Sequence, residues 1–360
     1  MINDSNYSTL FALVSAAVNK KNNSLPEEKD WAAAIALAAK HGVGALTWDG
    51  LMALYKLGYV SEGQLPASKL KLRWIGLVQR AERNYKLQQH ALEILDGVLG
   101  RQQLKMLVFK GMGLSLYYPV FNHRECCDVD VYAFDDKHKE LELSLIQDGG
   151  EEGDENAKHS TIDYKNVHFE LHRSFVYRCG SRKIKHMNKE LEALIDDSTQ
   201  LMDYHNIYKP SSSFDELFVL IHAANHYKTE GLALRHIIDW ALVLRAIDYK
   251  WNEVKLHEYG LLRFARILNR IAREHLGFDI PEELCRCDDT TYNRVLNDIL
   301  YPQYEAERNI SKGNLLIRKY KRFTSRKWVY PLVGDNFWHA ALSSAVAHLL
   351  DPVSILRGNK

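Results

Sequence analysis

The period of the hydrophobic pattern changes twice along this chain, and that limits the fold more than any other feature of the sequence. Up to residue 103 apolar side chains recur at the three-and-four spacing of a buried helical stripe: Leu10, Leu13, Val14 and Ala17, then Trp31, Ala34, Ile35 and Ala38. Gly42 and Gly44 interrupt the stripe, and Pro66 opens a further helical segment through Trp74 to Leu99. At Leu104 the period shortens. Lys105-Met106-Leu107-Val108-Phe109-Lys110 predicts a short buried strand that meets Gly111 and Gly113, residues 114–118 a helix, residues 119–127 a loop and residues 128–134 a second strand. Asp135 is expected to cap a helix reaching Gln147, and the glycine-rich acidic residues 148–156 to form a turn or exposed excursion. Two more strands, 159–164 and 167–173, are joined by a tight turn at Lys165-Asn166. Beyond Ser181 helical spacing returns, at 214–224, at 234–247 and onward. The expected fold is α+β, with a helical region at 1–100, a small sheet core at 101–180 and a second helical region at 181–360. At 360 residues the chain exceeds what one hydrophobic core usually organises, so several packed units are expected.

Chemistry concentrates on the second strand of the core. Asp128 and Asp130 are two residues apart, so on a strand both project from one face. Two such carboxylates repel each other and are costly to bury unless a cation sits between them, which suggests a divalent metal site. In Val167-His168-Phe169-Glu170-Leu171-His172 the polar residues share one face and the apolar ones the other. If that strand lies beside the acidic one, Glu170 becomes a third oxygen donor. Three such acids on a rigid sheet suit Mg²⁺ or Mn²⁺ and the phosphoryl transfer such ions serve. Lys110-Gly111-Met112-Gly113, between a strand and a helix, lets backbone N–H groups approach a triphosphate; Lys110 adds a point charge and Ser115 a hydroxyl donor.

Composition bounds the remaining classes. There are 47 basic and 46 acidic residues, so net charge does not announce a nucleic-acid binder. Cys126, Cys127, Cys179, Cys285 and Cys287 lack the paired spacing of a zinc site, and Met1-Ile2-Asn3-Asp4 does not begin a basic-then-apolar leader, so a reducing cytoplasm is expected. No transmembrane segment is expected either: the longest apolar stretch, 337–350, is interrupted by His339, Ser343, Ser344 and His348 and falls short of the roughly 20 residues a span needs. The basic stretch from Arg318 to Trp328 just before it is either a solvated helix face or a contact for an anionic membrane surface or an acidic partner.

Several of these segments resemble a largely uncharacterised family of bacterial nucleotidyltransferases within the DNA polymerase β-like superfamily. The resemblance rests on Phe109-Lys110-Gly111, Leu116-Tyr117-Tyr118-Pro119, Arg124 four residues before Asp128-Val129-Asp130-Val131, and Phe169-Glu170-Leu171-His172. It extends to residues 31–43, to His222-Ala223-Ala224-Asn225-His226 and to Arg235-His236-Ile237-Ile238-Asp239-Trp240. It implies a mixed sheet flanked by helices, with Asp128, Asp130 and Glu170 as catalytic and metal carboxylates. It also implies transfer of a nucleoside monophosphate from an NTP, such as ATP, to a hydroxyl. One departure is Met112, where the superfamily usually has the serine of a Gly-Ser pair. Nucleotide-binding candidates are Lys110, Gly111, Gly113, Ser115 and Arg124, although Arg124 could equally pair with an acid. His172, His222 and Arg235 are substrate-lining candidates. His222 and His226 lie one helical turn apart, but a zinc reading lacks a third ligand; Arg235 and Asp239, also a turn apart, could pair with each other. The acceptor, whether small molecule, sugar, protein or RNA end, is not specified. Two other readings stand beside this one: an inactive nucleotide- or partner-binding protein on the same fold, and a toxin-like transferase acting on tRNA or protein.

Overall fold

The structure is a computed structural model describing residues 5–19, 25–155, 158–176, 182–302 and 323–342. The first four residues, Cys179, the basic residues Arg318, Lys319, Lys321 and Arg322, and residues 343–350 of the C-terminal apolar stretch lie outside the described residues.

Four helices open the chain: α1 (Ser5–Asn19), α2 (Trp31–Lys40), α3 (Gly44–Lys56) and α4 (Ser68–Gln102). The Asp30 side chain accepts from the N–H groups of Ala32 and Ala33 and starts α2. Helices α1 and α3 cross so closely that a Cβ on Gly50 would sit 1.9 Å from the Leu13 carbonyl oxygen, so only glycine fits there. The α3 N-terminus has no side-chain cap of its own and takes one from far along the chain. Glu125 Oε1 accepts from the N–H groups of Gly44 at 2.7 Å and Ala45 at 3.3 Å, tying the N-terminal helices to the loop before the acidic strand.

The core follows as β1 (Met106–Phe109), α5 (Gly111–Ser115), β2 (Asp128–Ala133), α6 (His138–Gln147), β3 (Glu151–Glu155), β4 (His159–Tyr164) and β5 (Val167–His172). Then come α7 (Arg182–Leu194), β6 (Thr199–Gln200), β7 (Ile207–Lys209), α8 (Ser212–Thr229), α9 (Leu234–Ala246), α10 (Glu253–Glu258), α11 (Leu262–His275) and α12 (Asp289–Leu300). The strands form one mixed sheet in the order β3-β4-β5-β2-β1-β7-β6. β2 runs antiparallel to β1 and parallel to β5, and β1 runs parallel to β7.

The structure differs from the sequence expectations in several places, the first being the helix after β1, which spans Gly111–Ser115 and not 114–118. Asp135 does not cap α6: it and Asp136 adopt positive φ in a turn, and the helix starts at His138 behind Lys137. The acidic residues read as an excursion include the edge strand β3, whose five residues are all exposed and which carries no apolar alternation. The sheet also recruits β6 and β7 from beyond Ser181, where helices were expected. The tight turn at Lys165-Asn166 is present, both residues having positive φ.

Strand alternation divides the sheet into two faces. Val129, Val131, Phe169 and Leu171 join Met106 and Val108 in packing on Leu92, Leu95 and Leu99 of α4 and on Leu141 and Leu145 of α6. Leu107, Phe109 and Tyr132 face the other way, into a cluster with Phe175, Phe214 and Phe218. Asp128, Asp130 and Glu170 share that second face, the one toward α8, by the period of two. Full burial of each large apolar side chain here stabilises the sheet by roughly 1.5–3 kcal/mol.

Beneath this layer Asp215 of α8 is buried and accepts a 2.8 Å hydrogen bond from the Tyr117 hydroxyl. Burial pushes its carboxyl up to about 7. A folded-state value above the unfolded one makes Asp215 favourable only while protonated, so stability is lost as pH rises from about 4 through about 7. Asp215→Asn is expected to raise stability at pH 8 by on the order of 2 kcal/mol, with the gain vanishing toward pH 4. Thermal melts across that range check it.

The two described basic residues of the basic stretch divide: Lys327 is exposed, as a solvated face requires, whereas Arg326 is not. Arg326 is buried, donating from Nε to the Tyr227 carbonyl at 2.7 Å and from Nη2 to Asp298 at 3.0 Å. Trp328 lies edge-on to Tyr227 and beneath the Arg294 guanidinium. No helix among the described residues is long and apolar enough to cross a membrane.

Candidate active site

The parallel register of β2 and β5 sets Asp130 directly across from Glu170, with Asp128 two residues back on the same face. One carboxylate oxygen from each of the three acids lies within 4.8 Å of the others. The donor set is all oxygen and sits on paired central strands, which fits a hard divalent cation such as Mg²⁺ or Mn²⁺.

The chain's own groups offset part of the charge of this trio. Lys110 Nζ lies 2.5 Å from Asp130 Oδ1 and 3.9 Å from Glu170 Oε2. His172, fully buried, brings Nε2 within 2.7 Å of the same Asp130 oxygen and 3.2 Å of Glu170 Oε2. Burial works against ionising Asp130, but the Lys110 charge and the His172 hydrogen bond prevail and hold it well below the usual carboxylate range. Glu170 is likewise lowered: burial opposes ionisation, and the His172 hydrogen bond and Lys110 outweigh it. Asp128 goes the other way, raised by burial and by the neighbouring Asp130 charge. The expectation that buried acids need a metal between them is thus met in part by Lys110.

Lys110 reaches the acids from a strained backbone. Its φ of 54° and ψ of −125° lie in a region that favours glycine, at the junction of β1 and α5. Such a conformation is kept only where its surroundings over-determine it, and here the ammonium is fixed by the carboxylates. Replacing it tests its role as a resident cation. Lys110→Met is expected to bind Mn²⁺ about tenfold more tightly in the absence of nucleotide, because the metal no longer displaces an ammonium, and to melt lower without metal. Calorimetric titration reads the first effect; weaker Mn²⁺ binding would show that Lys110 supports the metal.

The glycine turn is packed against the strands it joins. A Cβ on Gly111 would lie 3.2 Å from both the Asp128 carbonyl oxygen and the Cys126 Cβ, and one on Gly113 would lie 3.0 Å from the Val108 carbonyl oxygen. The two glycines therefore let α5 pack closely on β2 and β1 as well as offering N–H groups at its start. Ser115 is fully buried and its hydroxyl donates to the Met112 carbonyl at 2.6 Å, a bond within α5.

Arg124 is also committed within the protein. Its Nε and Nη2 donate to Asp239 Oδ1 and Oδ2 at 2.9 and 2.8 Å, and its Nη1 donates to the Gly111 carbonyl at 3.0 Å. Both charges are buried, and the Tyr118 hydroxyl completes the arrangement with a 2.8 Å bond to Asp239. Arg124 therefore links the turn to α9. Arg235 pairs not with Asp239 but with the Glu125 carbonyl, at 2.7 Å.

Two groups that sequence reasoning passed over join the site from β4 and the residue before it. His159 stands opposite His172 in the β4–β5 register, with Nδ1 3.9 Å from Glu170 Oε2 and burial pushing it down to about 4. The two-residue turn at Lys165-Asn166 was the signal, since it fixes that register. Lys158 is pushed down to about 8, first by burial and then by Lys110. His222 lies within electrostatic reach of Lys110 and Lys158, so α8 borders the same region. His168, by contrast, is exposed and pairs with Asp163 at 2.7 Å.

Comparison with known proteins points the same way. The sequence model of a family described as uncharacterised nucleotidyltransferase matches residues 27–277, which include the whole sheet, α8 and α9. No curated protein matches the chain. Among solved structures, the antibiotic-resistance factor ANT(2'')-Ia in solution is 10% identical with a TM-score of 0.32, over 44% of this chain and 85% of that one. A crystal structure of ANT(2'')-Ia in complex with adenylyl-2''-tobramycin gives 10% identity and a TM-score of 0.33, over 47% of this chain and 94% of that one. Likeness at this level says nothing of substrate.

Proposed function

Because the chain belongs to the nucleotidyltransferase family whose model spans residues 27–277, we propose that it moves a nucleoside monophosphate from an NTP to a hydroxyl at the face formed by β2 and β5, with release of pyrophosphate. The observation that carries this reading is Asp130 facing Glu170 in register, with Asp128 beside them and Lys110 against Asp130 and Glu170. Asp128 and Asp130 would hold Mg²⁺ or Mn²⁺ together with the triphosphate, and Glu170 the ion nearest the acceptor. Such ions, when bound, lower the pKa of an attacking hydroxyl and neutralise a leaving pyrophosphate.

The remaining steps belong to the chain's own groups. Lys110 exchanges Asp130 for the phosphates, a short move for a four-carbon side chain, and the N–H groups of Gly111 and Gly113 steady the same phosphates. Glu170, kept ionised, accepts the acceptor's proton. His172 orients Asp130 and Glu170 from beneath, as a buried side chain in contact with both. Arg124 holds the turn in place through the Gly111 carbonyl. His222 and Arg235 stand on α8 and α9, so the acceptor would enter between the sheet face and these helices. The four described cysteines are unpaired, and a reducing cytoplasm is the compartment this reading assumes.

A second reading, an NTP-binding protein without turnover, draws on Lys110 occupying the inner oxygen of Asp130. Equilibrium binding of each NTP with Mg²⁺, followed by addition of cell extract and a pyrophosphate assay, separates the two. Release of pyrophosphate by the wild type and not by Asp130→Ala supports transfer. A tight NTP complex that releases none with any extract supports the second reading.

A further inference from the structure

The pair of histidines on α8 gains from α9 the partner it lacked in the sequence. His222 and His226 lie one turn apart, and His236, in the first turn of α9, turns toward both. Ring centroids are 4.4 Å apart for His222 and His226, 4.9 Å for His226 and His236, and 5.8 Å for His222 and His236. One ring nitrogen from each lies within 4.8 Å of the other two.

We propose that His222, His226 and His236 form a site for a borderline transition-metal dication, Zn²⁺ above all, separate from the carboxylate trio. Three imidazoles suit Zn²⁺, Co²⁺ or Ni²⁺ and are a poor donor set for Mg²⁺, which the all-oxygen trio favours. The surroundings supply a second indication. His226 Nδ1 faces Glu230 Oε2 at 3.2 Å, the carboxylate–imidazole contact that fixes a ligand's tautomer and leaves Nε2 unprotonated toward the cluster.

Binding would require small rearrangements. Ligand nitrogens around a tetrahedral ion at about 2.0–2.1 Å stand closer together than the 4.8 Å within which these lie, a difference that ring rotation alone can close. His236 Nδ1 accepts a 3.1 Å hydrogen bond from the Ala233 N–H, which is given up when Nε2 takes the metal. The nearby Lys110 and Lys158 weaken attraction for a dication, so the affinity expected is below that of a site ringed by acids. With three protein ligands, the ion keeps a position open for water or a substrate atom.

The proposal does not rest on nucleotidyl transfer. Its test is a Co²⁺ titration of the full chain followed by visible absorption, then displacement by Zn²⁺, with metal content measured after dialysis. The wild type and Asp130→Asn are expected to bind one Co²⁺ with the same tetrahedral spectrum. His226→Gln and His236→Gln should each lose about 100-fold or more in affinity. Glu230→Gln, a surface change, should lose roughly tenfold while keeping the spectrum, which a merely structural glutamate would not do. Absence of a cobalt spectrum in the wild type would overturn the proposal, whatever the variants do. So would a spectrum lost in Asp130→Asn and kept in the histidine variants.

Discussion

Asp130→Asn is expected to lower pyrophosphate release by about 10³-fold or more while leaving the fold intact. The asparagine keeps the shape of the side chain and removes one charge from the centre of the trio. Loss of a single preorganised electrostatic contact at a reacting centre costs about 10²–10³-fold in rate, and loss of a metal-binding carboxylate is larger still because the ion's charge stabilisation goes with it. Stability should move much less. Lys110 retains Glu170 at 3.9 Å, and His172 retains the same glutamate at 3.2 Å, so neither group is left alone. Measuring pyrophosphate release beside the melting temperature separates the two effects. A variant that melts near the wild type and still turns over within tenfold of it would remove Asp130 from the chemistry.

The largest effect on stability is expected at Arg124 and Asp239. These buried charges meet in a two-pronged contact at 2.8–2.9 Å and sit 115 residues apart in sequence. Burial alone would suppress both charges, yet the pairing holds the guanidinium fully charged and Asp239 below its ordinary range. Removing one partner strands the other in the interior, which costs about 3–5 kcal/mol. Arg124→Leu and Asp239→Leu should each show that loss in urea denaturation. The double variant should recover part of it, because no unpaired charge remains. Arg124→Leu should also slow transfer, since its Nη1 no longer holds the Gly111 carbonyl. Single-variant losses under 1 kcal/mol would show that water reaches the pair.

What the sequence made legible follows from how local each signal is. β1 announces itself as a short unbroken apolar run, and β2 and β5 because apolar and polar residues alternate within each strand, an alternation that also put Asp128 and Asp130 on one face of β2 and Glu170 on the polar face of β5. β3 was hidden because both its faces meet water, and β6 and β7 because two or three residues hold no period. The start of α6 was misplaced because Asp135 has the composition of a cap and the backbone of a left-handed turn. At the site, the order of strands sufficed for the carboxylates. It could not show that Lys110 reaches back onto Asp130, that the Ser115 hydroxyl is spent inside α5, or that Arg124 is spent on a helix more than a hundred residues away. His236 was in view in the sequence, but only the packing of α9 on α8 brings it to His222 and His226.

The most direct test of the transfer site follows the two ends of the NTP separately. Wild-type protein with Mg²⁺ and cell extract receives the nucleotide labelled at the α-phosphate in one reaction and at the γ-phosphate in another. The account predicts α-label on an acceptor and γ-label in pyrophosphate, both absent with Asp130→Asn. Transfer of the γ-label to an acceptor, or α-label transfer that survives Asp130→Asn, would contradict it.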